Sequence, residues 1–231
     1  MAKPVDALRM TWDFKIRAVI FDMDGVLTDS EPLINVAAVA MFGELGLCVR
    51  PEDFLPFVGT GEDRYIGGVA ERYQFKLDLP AAKRRTYEIY LELVPKRLQV
   101  FPGAQELVKS CRQAGLRIAV ASSADRVKVV ANLRKIVLPV EFWDAVVTGE
   151  DVTAKKPAPD IFLRAATELG LAAKECVVIE DAVNGIQAAL AAGMRCVAVA
   201  QSFAADRLQS AHLVRNRIAD VTIDDLRGAA T

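Results

Sequence analysis

The sequence predicts an α/β fold: a doubly wound, Rossmann-like parallel sheet with a helical region inserted into it. Three observations predict this. Five short apolar runs, Ala18–Phe21, Ile118–Ala121, Ala145–Val147, Cys176–Ile179 and Cys196–Ala200, are continuous and rich in Val and Ile, as strands covered on both faces are. Beyond Val100 helical patterns separate these runs, and strand–helix alternation specifies parallel βαβ units. The interval between the first run and the second is far longer than one crossover and reads largely as helix.

Each element has a local reason. Pro32 suits the first turn of a helix that puts Leu33, Val36 and Ala40 on one face and ends near Gly46. Pro80 opens another, with Tyr87, Ile89–Leu91 and Val94 apolar and Lys83, Arg84 and Arg85 solvated. Residues 30–97 therefore read as a helical insertion in a core formed by residues 1–29 and 98–231. Its proline-bearing exits, Asp29–Pro32 and Pro95–Pro102, are suited to act as hinges. Phe101-Pro102-Gly103 leads into a helix over Ala104–Ala114, closed by Gly115; Gly170 closes Pro159–Leu169 and Gly193 closes Ala182–Ala192. The stretch from Arg126 to Leu138, with Arg126, Lys128, Arg134 and Lys135, reads as a helix whose basic face is solvated.

Composition narrows the function. A chain of 231 residues, 52% apolar and 26% charged, builds an ordered core without a disulfide or metal staple. Its 29 Lys and Arg against 30 Asp and Glu leave no basic excess to hold nucleic acid or anionic lipid. One histidine, His212, in a C-terminal stretch read as remote from every strand end, nearly excludes Ser-His-Asp chemistry and multi-histidine zinc sites. Cys48, Cys111, Cys176 and Cys196 have no CxxC spacing and read as reduced core cysteines, and Trp12 and Trp143 as packing residues. Met1–Arg17 lacks the apolar stretch of a signal peptide, and no run approaches a membrane span of roughly 18 residues. The expectation is a cytoplasmic protein, a monomer or small homo-oligomer, with no membrane or nucleic-acid partner.

The residues after each strand carry the chemistry, because open α/β sheets bind ligands outside the carboxyl ends of their strands. They are Asp22-Met23-Asp24-Gly25-Val26-Leu27-Thr28-Asp29-Ser30, then Ser122-Ser123, then Lys155-Lys156-Pro157-Ala158-Pro159-Asp160, then Glu180-Asp181-Ala182-Val183-Asn184-Gly185. Asp22 and Asp24, two apart on an extended segment, point to one side and repel without compensation. Asp22, Asp181 and Glu180 offer the hard oxygen donors that Mg²⁺ takes. An ionised Asp22 is a phosphoryl acceptor that needs no activating base, which suits a chain with a single histidine. Lys156 and the metal would neutralise developing charge. Ser122, with Ser123 beside it and the amides of the following helix, would hold phosphate oxygens. Asp24 would protonate the leaving oxygen and then deprotonate the attacking water. In the insertion, Thr60, Glu62 and Arg64 are candidates to face the substrate.

These four segments, in this order and with a helical insertion after the first, resemble the motifs of the haloacid dehalogenase superfamily. The similarity extends to its phosphoglycolate phosphatase-like and β-phosphoglucomutase-like subgroup. The resemblance implies a HAD-like Rossmann core, an essential Mg²⁺, Asp22 as nucleophile, Asp24 as general acid/base and metal ligand through its backbone carbonyl, and a mobile cap that excludes water. Asp24 argues against dehalogenation. The mutase pattern carries a histidine where this chain has Ile34 and a phosphate-binding arginine where it has Glu62, with Arg64 as the one substitute; Ala182 replaces a common serine. The expectation is therefore a Mg²⁺-dependent phosphatase for a small phosphorylated metabolite, a sugar phosphate or a phosphoglycolate-like ester. The alternatives are a sugar-phosphate mutase using the same Asp22 and, from another class, a phosphoacceptor regulatory module without turnover.

Overall fold

In a computed structural model, residues 15–228 are described. Trp12 and most of the Met1–Arg17 segment lie outside them. The first strand, β1 (Ala18–Phe21), is wholly buried and leads through β2 (Thr28–Asp29) into α1 (Glu31–Glu44). A 3₁₀ segment at Pro51–Phe57 follows, then α2 (Glu62–Arg72) and α3 (Leu79–Arg97), whose first turn is capped by Asp78 accepting from the Ala81 N–H at 3.0 Å. The chain returns through β3 (Gln99–Val100), antiparallel to β2, so the two exits of the insertion are hydrogen-bonded side by side. From there strand and helix alternate as α4 (Ala104–Gln113), β4 (Arg117–Ala121), α5 (Arg126–Lys135), β5 (Ala145–Val147), α6 (Asp160–Glu168), β6 (Cys176–Glu180), α7 (Val183–Ala191) and β7 (Arg195–Val199), closing with β8 (Leu213–Arg215) and α8 (Ile223–Arg227).

The six-stranded sheet has the order β5-β4-β1-β6-β7-β8, all neighbours parallel. Alternation along β1 explains why its sequence is continuously apolar. Val19 and Phe21 enter one hydrophobic cluster with α4 and α5, whereas Ala18 and Ile20 enter the opposite one with α6 and α7. Trp143 packs edge-on against Phe21, centroids 5.8 Å apart, as a packing residue. A third cluster, built from Leu33 to Leu98, belongs to the inserted helices.

Three local readings need correction. In α1 the buried face is Leu33, Ile34, Ala37, Ala38, Met41 and Phe42, while Val36 is exposed, because packing against α3 rotates the buried stripe away from the expected one. The C-terminal stretch contains β8, a sixth strand too short to show in the pattern. His212 immediately precedes it and accepts the Cys196 N–H through Nδ1 at 3.1 Å, an edge contact of β7. Cys48 is exposed, whereas the other three cysteines are buried.

Candidate active site

β1, β4 and β6 end side by side, and their first residues beyond the sheet share one space. The Asp22 N–H, donating to the Ile179 carbonyl at 3.0 Å, is the last rung that holds this aspartate at the edge. Lys156, from the loop after β5, brings Nζ to 2.5 Å from Asp22 Oδ1 and 2.7 Å from Glu180 Oε1. Its neighbour Lys155 turns away to the Gly149 and Val152 carbonyls, so of the two adjacent lysines Lys156 occupies the site. Glu180 Oε2 accepts the Asp181 and Ala182 N–H groups, each at 2.7 Å. Both Glu180 oxygens are thereby engaged, and this residue fixes the turn that presents Asp181.

These groups are buried, with Asp22 5%, Lys156 8%, Glu180 1% and Asp181 6% exposed. Burial lifts the Asp22 carboxyl to about 7, with Lys156 pulling it down and Glu180 and Asp24 pushing it up. Burial, Glu180 and Asp22 hold Asp181 well above the usual carboxylate range against a hydrogen bond from Ser202 and the charge of Lys156. Burial opposes the charge on Lys156, but Asp22 and Glu180 outweigh it and raise its pKa. Three carboxylates thus share one ammonium, an imbalance that a cation removes. Asp22, Glu180 and Asp181 each bring an oxygen within 4.8 Å of the others; with Glu180 bound to Lys156 and two amides, Asp22 and Asp181 are the hard donors that fit Mg²⁺. Gly25 leaves room for it: at φ +81° a Cβ there would lie 1.9 Å from Asp181 Oδ2.

Asp24 points into a second cluster. Ser30 Oγ donates to its Oδ1, Ser122 Oγ donates to its Oδ2 at 3.2 Å, and Lys128 Nζ lies 3.2 Å from Oδ1. Lys128 departs from the solvated face that the sequence predicts. It is 2% exposed, not solvated, and also lies 3.4 Å from Glu62 Oε1 and over the Tyr90 ring at 5.8 Å. Burial disfavours its charge, but Asp24, Glu62, Tyr90 and Glu31 reverse that and hold its pKa well above the usual range. The helix pattern gave one cue: Lys128 and Asn132, four apart, share a face with buried Val129 and Leu133.

The two serines divide. Ser122 is fully buried and spends its hydroxyl on Asp24 and on the Ala124 N–H at 3.1 Å. The Ser123 hydroxyl is buried without a partner and lines the cavity. Of the three candidates in the insertion, Glu62 faces the cavity at 7% exposure. Thr60 and Arg64 do not line it. Thr60 Oγ1 donates to the Phe57 carbonyl at 2.6 Å, and Arg64 pairs with Glu71 at 2.6 Å and lies over the Phe57 ring. The reason is helical: two residues advance roughly 200° around α2, so Glu62 and Arg64 leave on opposite sides.

The cavity encloses about 1060 Å³ between the sheet edge and the inserted helices. Asp22, Asp181 and Lys156 line it, as do the apolar Leu55, Phe57, Val58 and Phe203. Contacts across it hold the insertion down: Tyr90 Oη donates to Asn132 Oδ1 at 2.7 Å, Lys83 bridges Asp63 and Asp125 at 2.7 and 2.9 Å, and Asn184 Nδ2 donates to the Gly59 carbonyl at 3.2 Å. Lys83 is therefore a bridge between the two parts and not a solvated residue.

Comparison with known proteins identifies the family and the fold. A family model for haloacid dehalogenase-like hydrolases matches residues 16–193. SUPPRESSOR OF QUENCHING 1, a chloroplastic protein of Arabidopsis thaliana, is 49% identical over 92% of this chain, although the chain spans only 21% of that protein. Hexitol phosphatase B of Escherichia coli K12 is 30% identical, covering 93% of this chain and 98% of its own length. A crystal structure of a CbbY variant from Rhodobacter sphaeroides in complex with xylulose 1,5-bisphosphate superposes with a TM-score of 0.83, at 28% identity, over 91% of this chain and 99% of that one. No helix among the described residues is long and apolar enough to cross a membrane.

Proposed function

Because this chain belongs to the haloacid dehalogenase-like hydrolases, we propose that it is a Mg²⁺-dependent phosphatase of phosphorylated sugars or sugar alcohols, working through an aspartyl phosphate on Asp22. The observation that carries the reading is the buried set Asp22, Lys156, Glu180 and Asp181 at the strand edge, on the wall of the cavity. A phosphate monoester dianion would not approach three carboxylates and one ammonium unaided. When bound, Mg²⁺ supplies the positive charge that draws the phosphoryl group against Asp22, with Asp22 and Asp181 as its side-chain ligands and Glu180 fixing the turn behind them.

In the first half-reaction an Asp22 carboxylate oxygen attacks phosphorus, the bond to the leaving oxygen breaks, and Asp24 gives that oxygen its proton. In the second, a water oxygen attacks the aspartyl phosphate, its proton returns to Asp24, and phosphate leaves with Asp22 restored. Lys156, already 2.5 Å from Asp22, stabilises charge on the transferring group. The Ser123 hydroxyl, buried without a partner, would donate to a phosphate oxygen. Ser122 acts through Asp24, orienting its carboxylate. The inserted helices exclude water from the cavity, with β2 and β3 as the proposed hinge and residues 30–97 as the proposed cap. Membership in a hydrolase family weighs against the regulatory-module alternative. The expectation of a cytoplasmic location rests on the sequence alone, and the Arabidopsis relative is named for another compartment.

Phosphate release from a panel of sugar, sugar-alcohol and aryl phosphates, with Mg²⁺ or with EDTA, tests this reading. Release is expected with Mg²⁺ and to be lost in EDTA, and Asp22→Asn is expected to lower it by at least about a thousandfold while circular dichroism stays native. Near-normal release by folded Asp22→Asn would overturn it.

A further inference from the structure

Lys128 and Glu62 form a buried pair between α5 and the first turn of α2 that the phosphoryl chemistry itself does not require. We propose that Glu62, held by Lys128, selects the leaving group: it accepts a hydrogen bond from a hydroxyl of the substrate and disfavours esters that carry a second anionic group. This rests on the phosphatase reading above and names which esters the site prefers.

Two observations carry it. Glu62 Oε2 is buried, has no hydrogen-bond partner, and belongs to a side chain that lines the cavity. A buried acceptor left unpaired loses its hydration without return, so a ligand that brings a donor to it is favoured. The Oε1 atom is spent on Lys128, which fixes the carboxylate so that its other oxygen is the one on offer. A hydroxyl of a sugar or sugar alcohol is such a donor; a carboxylate or second phosphate is not.

The second observation is the charge of the wall. Asp29, Glu31 and Glu52 line the cavity along with Glu62. The cations lining it among the described residues are Lys128, Lys156 and Arg207. Lys128 is committed to Asp24 and Glu62, and Lys156 to Asp22 and Glu180. Arg207 is exposed and stacked over Phe203 at 4.6 Å, where water screens its charge. A second anionic group would therefore give up hydration in the cavity without an uncommitted buried counter-charge, next to like charges that repel it.

The test compares kcat/KM for a hexitol 6-phosphate, a hexose 1,6-bisphosphate, phosphoglycolate and p-nitrophenyl phosphate in the wild type and in Glu62→Gln, which keeps an acceptor and removes the charge. The wild type is expected to prefer the hexitol ester over both dianionic-plus-anionic esters by at least about a hundredfold, and Glu62→Gln to narrow that ratio by at least about tenfold. An unchanged ratio in Glu62→Gln, or a wild type that cleaves the bisphosphate as well as the monophosphate, would overturn the proposal. Failure of the phosphatase reading looks different: no phosphate is released from any ester, the aryl phosphate included, and the selection proposal falls with it. Should Glu62→Gln not fold, calorimetric binding of the same two sugar esters to Asp22→Asn with Mg²⁺ decides. Tighter binding of the monophosphate is expected, and equal or tighter binding of the bisphosphate contradicts it.

Discussion

Gly185 has no chemistry of its own, yet it sets the position of a residue that does. A Cβ there would lie 1.7 Å from Glu180 Oε1, the atom that bonds Lys156, so the Glu180 carboxylate rests directly against the first turn of α7. A flexible carboxylate could swing aside on the surface, but this one is tied by Lys156 and two backbone amides. Gly185→Ala is therefore expected to destabilise the protein by about 1–3 kcal/mol, as overpacking does, and to lower phosphate release by more than the stability loss explains. Thermal unfolding and kcat/KM measured together check this. Wild-type activity in Gly185→Ala would show that the carboxylate relocates without consequence. That Asp22, Glu180 and Asp181 would meet was legible at residue scale, because their positions after β1 and β6 are fixed by the strands. The sequence does not tell Ser122 from Ser123, nor show that Glu180 spends both oxygens on the protein, because those facts depend on partners far away in sequence.

Among elements, the 3₁₀ segment Pro51–Phe57 carries Leu55 and Phe57 to the cavity wall, and one buried carboxylate anchors it. Asp53 accepts from Tyr73 Oη at 2.5 Å, from the Arg50 N–H at 2.9 Å and from the Arg50 guanidinium at 3.2 Å. The Tyr73 hydrogen bond first, then the Arg50 contacts, hold its carboxyl at about 2. A carboxyl depressed by folding adds stability at every pH above its unfolded value and loses that contribution as pH falls toward the folded one. The expected outcome is that Asp53→Asn lowers the melting temperature at neutral pH and flattens its fall between about pH 4 and pH 2. Parallel acid limbs for wild type and variant would contradict this role. The long strands were legible because burial on both faces makes them apolar throughout, and β8 was not because three half-buried residues carry no such signature. The basic residues of α5 predict a solvated face that includes Lys128. Its burial is created by the inserted helices closing over it, with Glu62 lying 66 positions away in the chain.

The whole molecule brings two hydrophobic units together over one charged site. The sheet and its flanking helices bury two clusters, the inserted helices a third, and the β2–β3 pair joins them. The polar contacts between them include Tyr90 with Asn132, Lys83 with Asp125, Lys128 with Glu62 and Asn184 with Gly59. That the chain folds as an interrupted α/β sheet was readable from periodicity. How the insertion meets the core was not, because no local pattern records a contact between distant helices. The central claim is that Asp22 receives the phosphoryl group. Borohydride added to a turnover mixture quenched in acid reduces an acyl phosphate to an alcohol, which converts the acceptor aspartate to homoserine. Peptide mass spectrometry should then find homoserine at position 22 in the wild type with Mg²⁺ and substrate, and none without substrate. Phosphate release at full rate with aspartate intact at position 22, or homoserine at another position, would contradict it.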